Sequence, residues 1–462
     1  SSAASDVYKR QALYVIKARI PRESKNNAGS MFMIARDLSY KFTKLRAVLL
    51  GGLGLAAISA GAAQAYTWQD WMNQKTMTGN WNGGRTRLAA DGIDFTAGYV
   101  GELASSASGG KRQGSDVASQ FYYGFKADLG KLAGLNGTTL TVGFNSRVGR
   151  NTSADYTGNK LAVQEVYGAG ETTRIVEVSL TQKLFHDQVE LKGGFYPMGN
   201  DFAGIAYGCD FQNVGFCAHP QNLPNSSGWS DNPTGKWGGR VKLNFTPDAY
   251  LEAGIYDVNP TYGNTGNGLK MSTSGSTGAL IPVEAAYKTH FGGLPGEYKI
   301  GAYYDTSDAA SVTNASDIQN GRYGFYAIGD QMLMSFGGPK RGLIAIAMVS
   351  YSDPSTALFQ GSVLGGLEAR GPFAARPNDY INVGYVRAII NHRAIDAKEA
   401  ASHGTLTDLS TGEGVIEAGY GFQAAPWWII HPNVQYVMDP GTFSYKHYAN
   451  AWVFGLETKL SF

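Results

Sequence analysis

The sequence predicts an all-β fold: a transmembrane antiparallel up-and-down β-barrel of about sixteen strands, with a short N-terminal periplasmic helix or turn segment. Three observations predict it, namely the alternation in the last strand, the repetition of one strand–turn unit, and the composition. The 462 residues include 61 Gly, 27 Tyr, 21 Phe and 8 Trp. Such an excess of glycine and aromatic residues is typical of many short strands joined by turns, and it is unusual for a helical protein.

The chain ends in a strand with two different faces. Its apolar side chains share one parity, interrupted only by Thr458: Trp452, Phe454, Leu456, Leu460 and Phe462. The other parity is mostly polar or small, so the strand can place one face in lipid and the other in water. A terminal phenylalanine is typical of the last strand of a Gram-negative outer-membrane barrel, where Leu456, Leu460 and Phe462 would form the assembly signal. The alternative is an amphipathic strand of a soluble sandwich.

The beginning of the chain is expected to be absent from the mature protein. Residues 1–30 resemble translated flanking sequence. Within residues 31–65, a basic stretch and the short apolar run 47–58 lead to an Ala-Gln-Ala site that ends at Ala65. This order is that of a secretory signal peptide, and the apolar run is too short for a membrane anchor of roughly 20 residues. The predicted mature chain consists of a periplasmic segment, residues 66–92, and a barrel, residues 93–462.

Charge and motifs exclude several classes of function. Residues 1–65 hold ten of the 39 Lys and Arg residues and three of the 37 Asp and Glu residues. The remainder has 29 basic and 34 acidic residues, a net charge of −5, and no basic block suited to nucleic acid. No hydrolase, zinc-protease, P-loop or dinucleotide motif occurs, and the seven histidines lack metal-site spacing. We expect neither an enzyme nor a cofactor.

After Ala65 the chain repeats one unit, a strand with period-two alternation followed by a turn. Short turns alternate with long connections, which cover about 197–235, 259–277, 306–320 and 393–411. This alternation is typical of an up-and-down barrel with tight periplasmic turns and long outer loops. Sixteen strands are predicted, at 93–105, 118–130, 138–149, 171–184, 188–196, 236–246, 249–258, 279–291, 297–306, 321–335, 342–353, 361–373, 379–391, 412–424, 426–438 and 449–462.

Charged residues on the inward parity predict a water-filled pore. A barrel of about sixteen strands leaves an aqueous channel, and unpaired inward charges need that water. Sugars are bound by aromatic faces together with charged or amide groups, and inward charges of both signs suit neutral polyhydroxylated cargo better than one ion. The candidate lumen residues are Glu102, Arg147, Glu177, Lys192, Tyr196, Arg240, Lys242, Glu284, Lys288 and Glu417, with Asp201 from a long loop. For each of them, the alternative to binding sugar is that the side chain is simply solvated in the lumen.

The loop at 197–235 contains the only two cysteines, Cys209 and Cys217. In an oxidising compartment, two cysteines this close are expected to form a disulfide, whereas two thiolates alone are half of a metal site. A long ordered loop of a porin either folds into the channel or points outward, and the sequence leaves both possibilities open.

Four segments resemble the carbohydrate-selective porin family of Gram-negative outer membranes, the OprB family. They are Thr78–Leu88 with Gly92-Ile93, Gln182–Ala203 with the cysteine loop, Tyr256–Pro260, and His431–Gly441 with the last strand. Asn80, Gly84 and Asp439 depart from the expected residues. The resemblance implies a sixteen-stranded, monomeric barrel that passes glucose and related sugars by facilitated diffusion through a constriction of arginine and glutamate. Arg147, Glu177 and Arg240 are the candidates for that constriction.

The predicted partners are small sugars, outer-membrane lipid and lipopolysaccharide, and, during biogenesis, periplasmic chaperones and the barrel assembly machinery. The main alternative function is a general or ion-selective diffusion porin without a sugar site. An outer-membrane enzyme would need a dyad or triad at the rim, and none is found. A receptor barrel closed by its loops would show no conductance.

Overall fold

The computed structural model describes residues 67–167, 170–338 and 340–462. The predicted flank and signal peptide lie outside these ranges, so both stay predictions. Sixteen strands form one closed antiparallel barrel in which each strand pairs with its neighbours along the chain, and β1 pairs with β18 to close it. The strands are β1 Ile93–Gly110, β2 Gly114–Asp128, β3 Thr138–Gly149, β4 Thr172–Leu184, β5 Val189–Tyr196, β6 Lys236–Thr246, β7 Ala249–Val258, β8 Gly278–Phe291, β9 Leu294–Asp305, β12 Arg322–Ser335, β13 Gly342–Ser352, β14 Phe359–Arg370, β15 Tyr380–Ile390, β16 Gly412–Ala425, β17 Trp428–Met438 and β18 Ala449–Ser461.

The strand count and order confirm the predicted barrel. One connection differs from the prediction: the segment expected as a plain loop at 306–320 contains two further strands, β10 Ala309–Ala310 and β11 Ile318–Gln319. They pair only with each other, as a small hairpin outside the barrel. Two residues per strand give too little alternation for a sequence pattern to reveal them.

The two ends of the barrel differ. One end, which we call the short-turn end, carries both termini of the barrel; the other, the long-loop end, carries the connections 150–171, 197–235 and 391–411.

Short helices lie in the connections and before β1. The α-helices are Trp68–Met72, Gly84–Ala90, Leu129–Ala133, Asn222–Ser226 and His392–Ala401; the 3₁₀ turns are Trp81–Gly83, Glu165–Tyr167, Met198–Asn200, Gly208–Asp210, Pro260–Gly263, Thr265–Asn267 and Thr442–Ser444, and Ser153–Thr157 forms one π turn. None of the helices that the structure describes is long and apolar enough to cross a membrane.

The segment before β1 is held against the end of the chain. Thr67 and Asp70 form a capping box that starts the first helix. Asn80, which departs from the family pattern, accepts hydrogen bonds at 3.0 Å from both the amide and the hydroxyl of Thr86. Arg85 donates a 2.7 Å hydrogen bond to the carbonyl oxygen of Phe462, so the predicted periplasmic segment lies beside the C-terminus.

The outer face of the barrel is apolar, as the alternation predicts. In β8, Val283 and Tyr287 are exposed while Glu284 between them is buried on the inner side. In β18, Trp452, Phe454 and Leu456 are exposed in the same way. Exposed aliphatic and aromatic side chains on strand after strand require lipid rather than water around them.

The inner face is less polar than the sequence predicts, because two long loops fold into the barrel. Phe202, Phe211 and Phe216 of the 197–235 loop and Leu161 and Val163 of the 150–171 loop belong to one buried apolar cluster. Its wall members come from many strands and include Tyr256, Leu280, Tyr326, Ile328, Ile346, Val386, Val415 and Val453. The loop that the sequence could place either inward or outward therefore lies inside, and its packing explains why β12 carries apolar residues on both faces.

Candidate functional site

An open cavity of about 620 Å³ lies inside the long-loop end of the barrel. Its lining combines Arg147 from β3, Glu165 from the 150–171 loop, and His219, Asp231 and Asn232 from the 197–235 loop. The inward path of these two loops brings residues far apart in sequence to one side of the barrel. The lining of this cavity, which we call the vestibule, therefore carries both positively and negatively charged side chains.

A second cavity, of about 310 Å³, extends towards the short-turn end along the wall formed by β2, β3 and β4. Tyr122, Lys126 and Glu177 line it, and Asn232 lines both cavities. The end of the 197–235 loop that leads into β6 therefore lies between the vestibule and the lower cavity. Arg147 faces this part of the loop, with Nη2 3.5 Å from the carbonyl oxygen of Asn232. We call this point of closest approach the constriction.

Arg147 is fixed in the constriction by the barrel wall. Its Nε donates to Oε1 of Gln120 at 3.1 Å, and the same oxygen accepts a hydrogen bond from Asn145 at 3.1 Å. No carboxylate of the described residues pairs with Arg147 within 4.0 Å, although Glu165 lies close enough to act on it electrostatically. Burial raises the pKa of Glu165, and the positive charge of Arg147 only partly counters this effect. A guanidinium held in this way keeps donors for a passing solute.

A histidine–carboxylate pair lies on the loop side of the vestibule. Nε2 of His219 is 3.2 Å from Oδ2 of Asp231. Burial alone would lower the pKa of His219, but the charge of Asp231 and the contact with it outweigh burial and raise it. Burial likewise opposes the ionised form of Asp231, and the charge of His219 outweighs it and lowers the pKa of Asp231. Each partner therefore favours the ionised form of the other.

An ionic network covers the inner wall from β4 to β7. Arg240 contacts Glu190, and it lies 3.1 Å from Asp201 and 3.3 Å from Glu252. Lys192 lies 3.4 Å from Asp201. The remaining members are Glu177, 3.2 Å from Lys192, and Lys242, 4.0 Å from Glu252. Five predicted lumen residues therefore do face inward and lie together. They are Glu177, Lys192, Asp201, Arg240 and Lys242, and all of them are paired.

Three predicted lumen carboxylates have a different environment from the expected one. Glu102, Glu284 and Glu417 face inward but are fully buried under the loops. Glu417 accepts hydrogen bonds from the amides of Gln212 and Asn213 at 2.7 and 2.8 Å. Glu284 and Glu102 accept from the loop amides of Ala203, at 2.7 Å, and Val166, at 3.2 Å. These residues anchor the loops, which corrects the expectation that they line open water.

Tyr196 is also covered. Its side chain is fully buried, and its hydroxyl lies 3.0 Å from the hydroxyl of Tyr256. Period-two alternation correctly gives its inward direction, but it cannot show that a loop from elsewhere in the chain lies over it. Lys288 is exposed close to the short-turn end, away from the constriction.

The predicted disulfide is present. Cys209 and Cys217 are bonded, with an S–S distance of 2.05 Å. Cys217 and the neighbouring His219 line the vestibule, so the bond closes a short ring next to the residues that face the channel. The sequence did not single out Glu165, His219, Asp231 or Asn232 as site residues, because their position depends on how the two loops fold. It did not single out Tyr122 either, because Tyr122 lies on β2 in a run of three aromatic residues, where alternation of polar and apolar residues is lost.

A cluster of three glutamate side chains has the spacing of a metal site. Ligand oxygens of Glu102, Glu165 and Glu457 lie within 4.8 Å of one another. Nζ of Lys459 lies 3.0 Å from Oε2 of Glu457 and brings a positive charge to that group. The ammonium group therefore already supplies part of the charge that a cation would bring.

A closed barrel of sixteen antiparallel strands with an apolar outer face, and with inward loops that narrow a charged interior, is the architecture of a porin. The family model described as "Carbohydrate-selective porin, OprB family" matches residues 112–462. The chain belongs to this family.

Two relatives and one solved structure are consistent with this family assignment. Porin B of Pseudomonas aeruginosa is 34% identical over 444 residues, which cover 89% of this chain and 96% of that protein. The putative porin QuiX of Acinetobacter baylyi is 30% identical, over 89% of this chain and 99% of that protein. The high-pH structure of OprB from Pseudomonas putida is 33% identical and has a TM-score of 0.80, covering 86% of this chain and all of that chain.

Proposed function

We propose that the mature chain is an outer-membrane channel for the facilitated diffusion of glucose and related small sugars. The observation that carries the proposal is the constriction between Arg147 and the loop residues Asp231 and Asn232, which joins two cavities of the barrel interior. Donors of a fixed guanidinium and acceptors of a carboxylate and an amide can exchange hydrogen bonds with sugar hydroxyls. The description of the family as carbohydrate-selective supports a carbohydrate as the cargo, and the similarity to Porin B supports a porin.

Mixed charge also supports neutral cargo. Arg147 brings one positive charge to the constriction, Glu165 and Asp231 bring carboxyl groups, and His219 is paired with Asp231. A pore selective for one ion is usually built from a ring of one sign. We further propose that residues 31–65 direct export, that residues 66–92 lie at the periplasmic mouth, and that the barrel is a monomer that lipid and lipopolysaccharide surround.

Glucose flux into proteoliposomes tests the proposal. Flux should exceed that of empty vesicles and should fall in the Arg147→Gln variant, because a charge-assisted hydrogen bond worth about 1.5–3 kcal/mol is lost, equivalent to about tenfold or more in sugar affinity. Arg150→Gln is the matched control, because Arg150 is an exposed loop arginine outside both cavities. Wild-type flux no faster than in empty vesicles would reject the sugar channel. Ion permeation without any block by sugar would instead favour a general diffusion porin.

A further inference from the structure

The inner wall of the barrel contains a repeated arrangement in which a tyrosine covers a glycine directly opposite on the neighbouring strand. A methyl group added at each of these glycines would lie 2.1–2.4 Å from an atom of the tyrosine ring. The pairs are Gly98 with Tyr122, Gly238 with Tyr256, Gly301 with Tyr326, Gly324 with Tyr303, and Gly421 with Tyr380. Each glycine lets a ring lie close against the wall.

Four of these five rings are covered on their other face. Tyr256, Tyr303, Tyr326 and Tyr380 are between 1% and 3% exposed. Phe202, from the inward 197–235 loop, packs against Tyr256, and Trp229 packs against both Tyr303 and Tyr326. Tyr256, Tyr303 and Tyr326 therefore belong to the contact between the loop and the wall, whereas Tyr380 packs near His431 and Arg370 of the wall itself.

Tyr122 differs from the other four because it is 38% exposed. It shares the inward parity of Gln120, and it pairs with Asn145 of β3. No aromatic ring, cation or hydrogen-bond partner contacts it within the described ranges. Its free surface lies in the lower cavity with Glu177 and Asn232, next to the constriction.

We propose that Tyr122 is a stacking platform for the pyranose ring of the transported sugar, at the inner side of the constriction. The C–H face of a pyranose is apolar and flat enough to lie against an aromatic ring, while its hydroxyls point sideways. Glu177 and Asn232 line the same cavity as the ring. The Oε2 atom of Glu177, whose Oε1 contacts Lys192, and the side-chain amide of Asn232 offer hydrogen-bonding groups for those hydroxyls. Tyr122 would thus favour cyclic sugars over acyclic polyols of equal size. This proposal rests on the proposed function.

The test measures block of single-channel current in planar bilayers by glucose and by sorbitol, an acyclic polyol of similar size. Tyr122→Leu should raise the half-blocking concentration of glucose about two- to tenfold, the range for loss of an aromatic contact. It should leave block by sorbitol unchanged, and Tyr122→Phe should behave as wild type. Tyr323→Leu is the matched control, because Tyr323 of β12 is 39% exposed but lies on the outer face, against Phe325.

The outcomes separate the two proposals. If glucose blocks the wild type and the Tyr122→Leu variant equally, the platform is rejected and the sugar channel stands. Equal losses in Tyr122→Leu and Tyr323→Leu would also reject stacking, since they would indicate general damage. A loss in Tyr122→Phe would reject it as well, since it would indicate a role of the hydroxyl. A wild-type channel that glucose neither blocks nor crosses would reject both proposals.

Discussion

At the scale of single residues, charge and burial decide which inward side chains can meet a solute. Arg147 and Arg240 both face inward, but their partners differ. Arg240 lies among three carboxylates, whereas Arg147 is held by a neutral glutamine and a backbone carbonyl. A guanidinium that is already paired with carboxylates gains little binding energy from a ligand. A guanidinium with neutral partners can still form a strong charge-assisted hydrogen bond with one. Arg147 is therefore the better candidate for contact with sugar.

The pair of His219 and Asp231 predicts a pH dependence of ion selectivity. The imidazolium is present below its ordinary pKa of 6.5, and it is lost as pH rises through the raised pKa of His219. Asp231 keeps its charge over this range because its pKa is lowered. Above the transition the vestibule is more negative, so the preference for K⁺ over Cl⁻ should increase, roughly twofold for one partly screened charge.

Reversal potentials in a KCl gradient between pH 6 and pH 9 measure this effect. The step should become smaller in His219→Gln, where the ammonium group of Lys236 remains in the lining of the vestibule. It should keep its size in His290→Gln, which changes a histidine outside the vestibule. A step of equal size in His219→Gln would assign the titration to another group.

At the scale of structural elements, the 197–235 loop is fixed by carboxylates of the wall. Glu417 receives two loop amides, Glu284 receives one, and Asp305 receives the amide of Gly228. Each carboxylate satisfies loop backbone groups that would otherwise be buried without partners. Alternation in the strands predicts that these carboxylates face inward. Only the path of the loop shows that their partners are amides of the loop backbone.

Glu417→Gln should loosen the loop without opening the barrel. An amide has one acceptor oxygen and no charge, so bonds to the amides of Gln212 and Asn213 are weakened or lost, at a cost of about 1.5–3 kcal/mol. We expect a larger and noisier single-channel conductance, and faster proteolysis within 197–235. Glu297→Gln is the control, because Glu297 pairs with Lys299 on the wall. Identical conductance and proteolysis of the two variants would show that Glu417 does not hold the loop.

At the scale of the whole molecule, the outer face depends on lipid. Ile300 lies near the middle of β9 and is 65% exposed, and Tyr304 lies near the long-loop end of the same strand. Arginine on the lipid face costs about 2–4 kcal/mol at the bilayer midplane and about 0–1 kcal/mol near the interface.

Ile300→Arg should therefore lower the free energy of unfolding in lipid vesicles by about 2–4 kcal/mol, and Tyr304→Arg by much less. Equilibrium denaturation followed by tryptophan fluorescence gives both values. Equal losses at the two positions would contradict the proposed placement of the barrel in the membrane.

The sequence by itself determined the barrel, the sixteen strands, the outward face and the disulfide, because period-two alternation and the spacing of turns and cysteines are local. It also gave the inward direction of all the predicted lumen residues on the strands. Tertiary structure alone decided which of them reach water. The 150–171 and 197–235 loops bury Glu102, Tyr196, Glu284 and Glu417, set the largely buried Arg147 at the edge of the vestibule, and leave Tyr122 exposed in the lower cavity. This outcome depends on apolar packing and on buried hydrogen bonds between residues up to 272 positions apart, which no local pattern records.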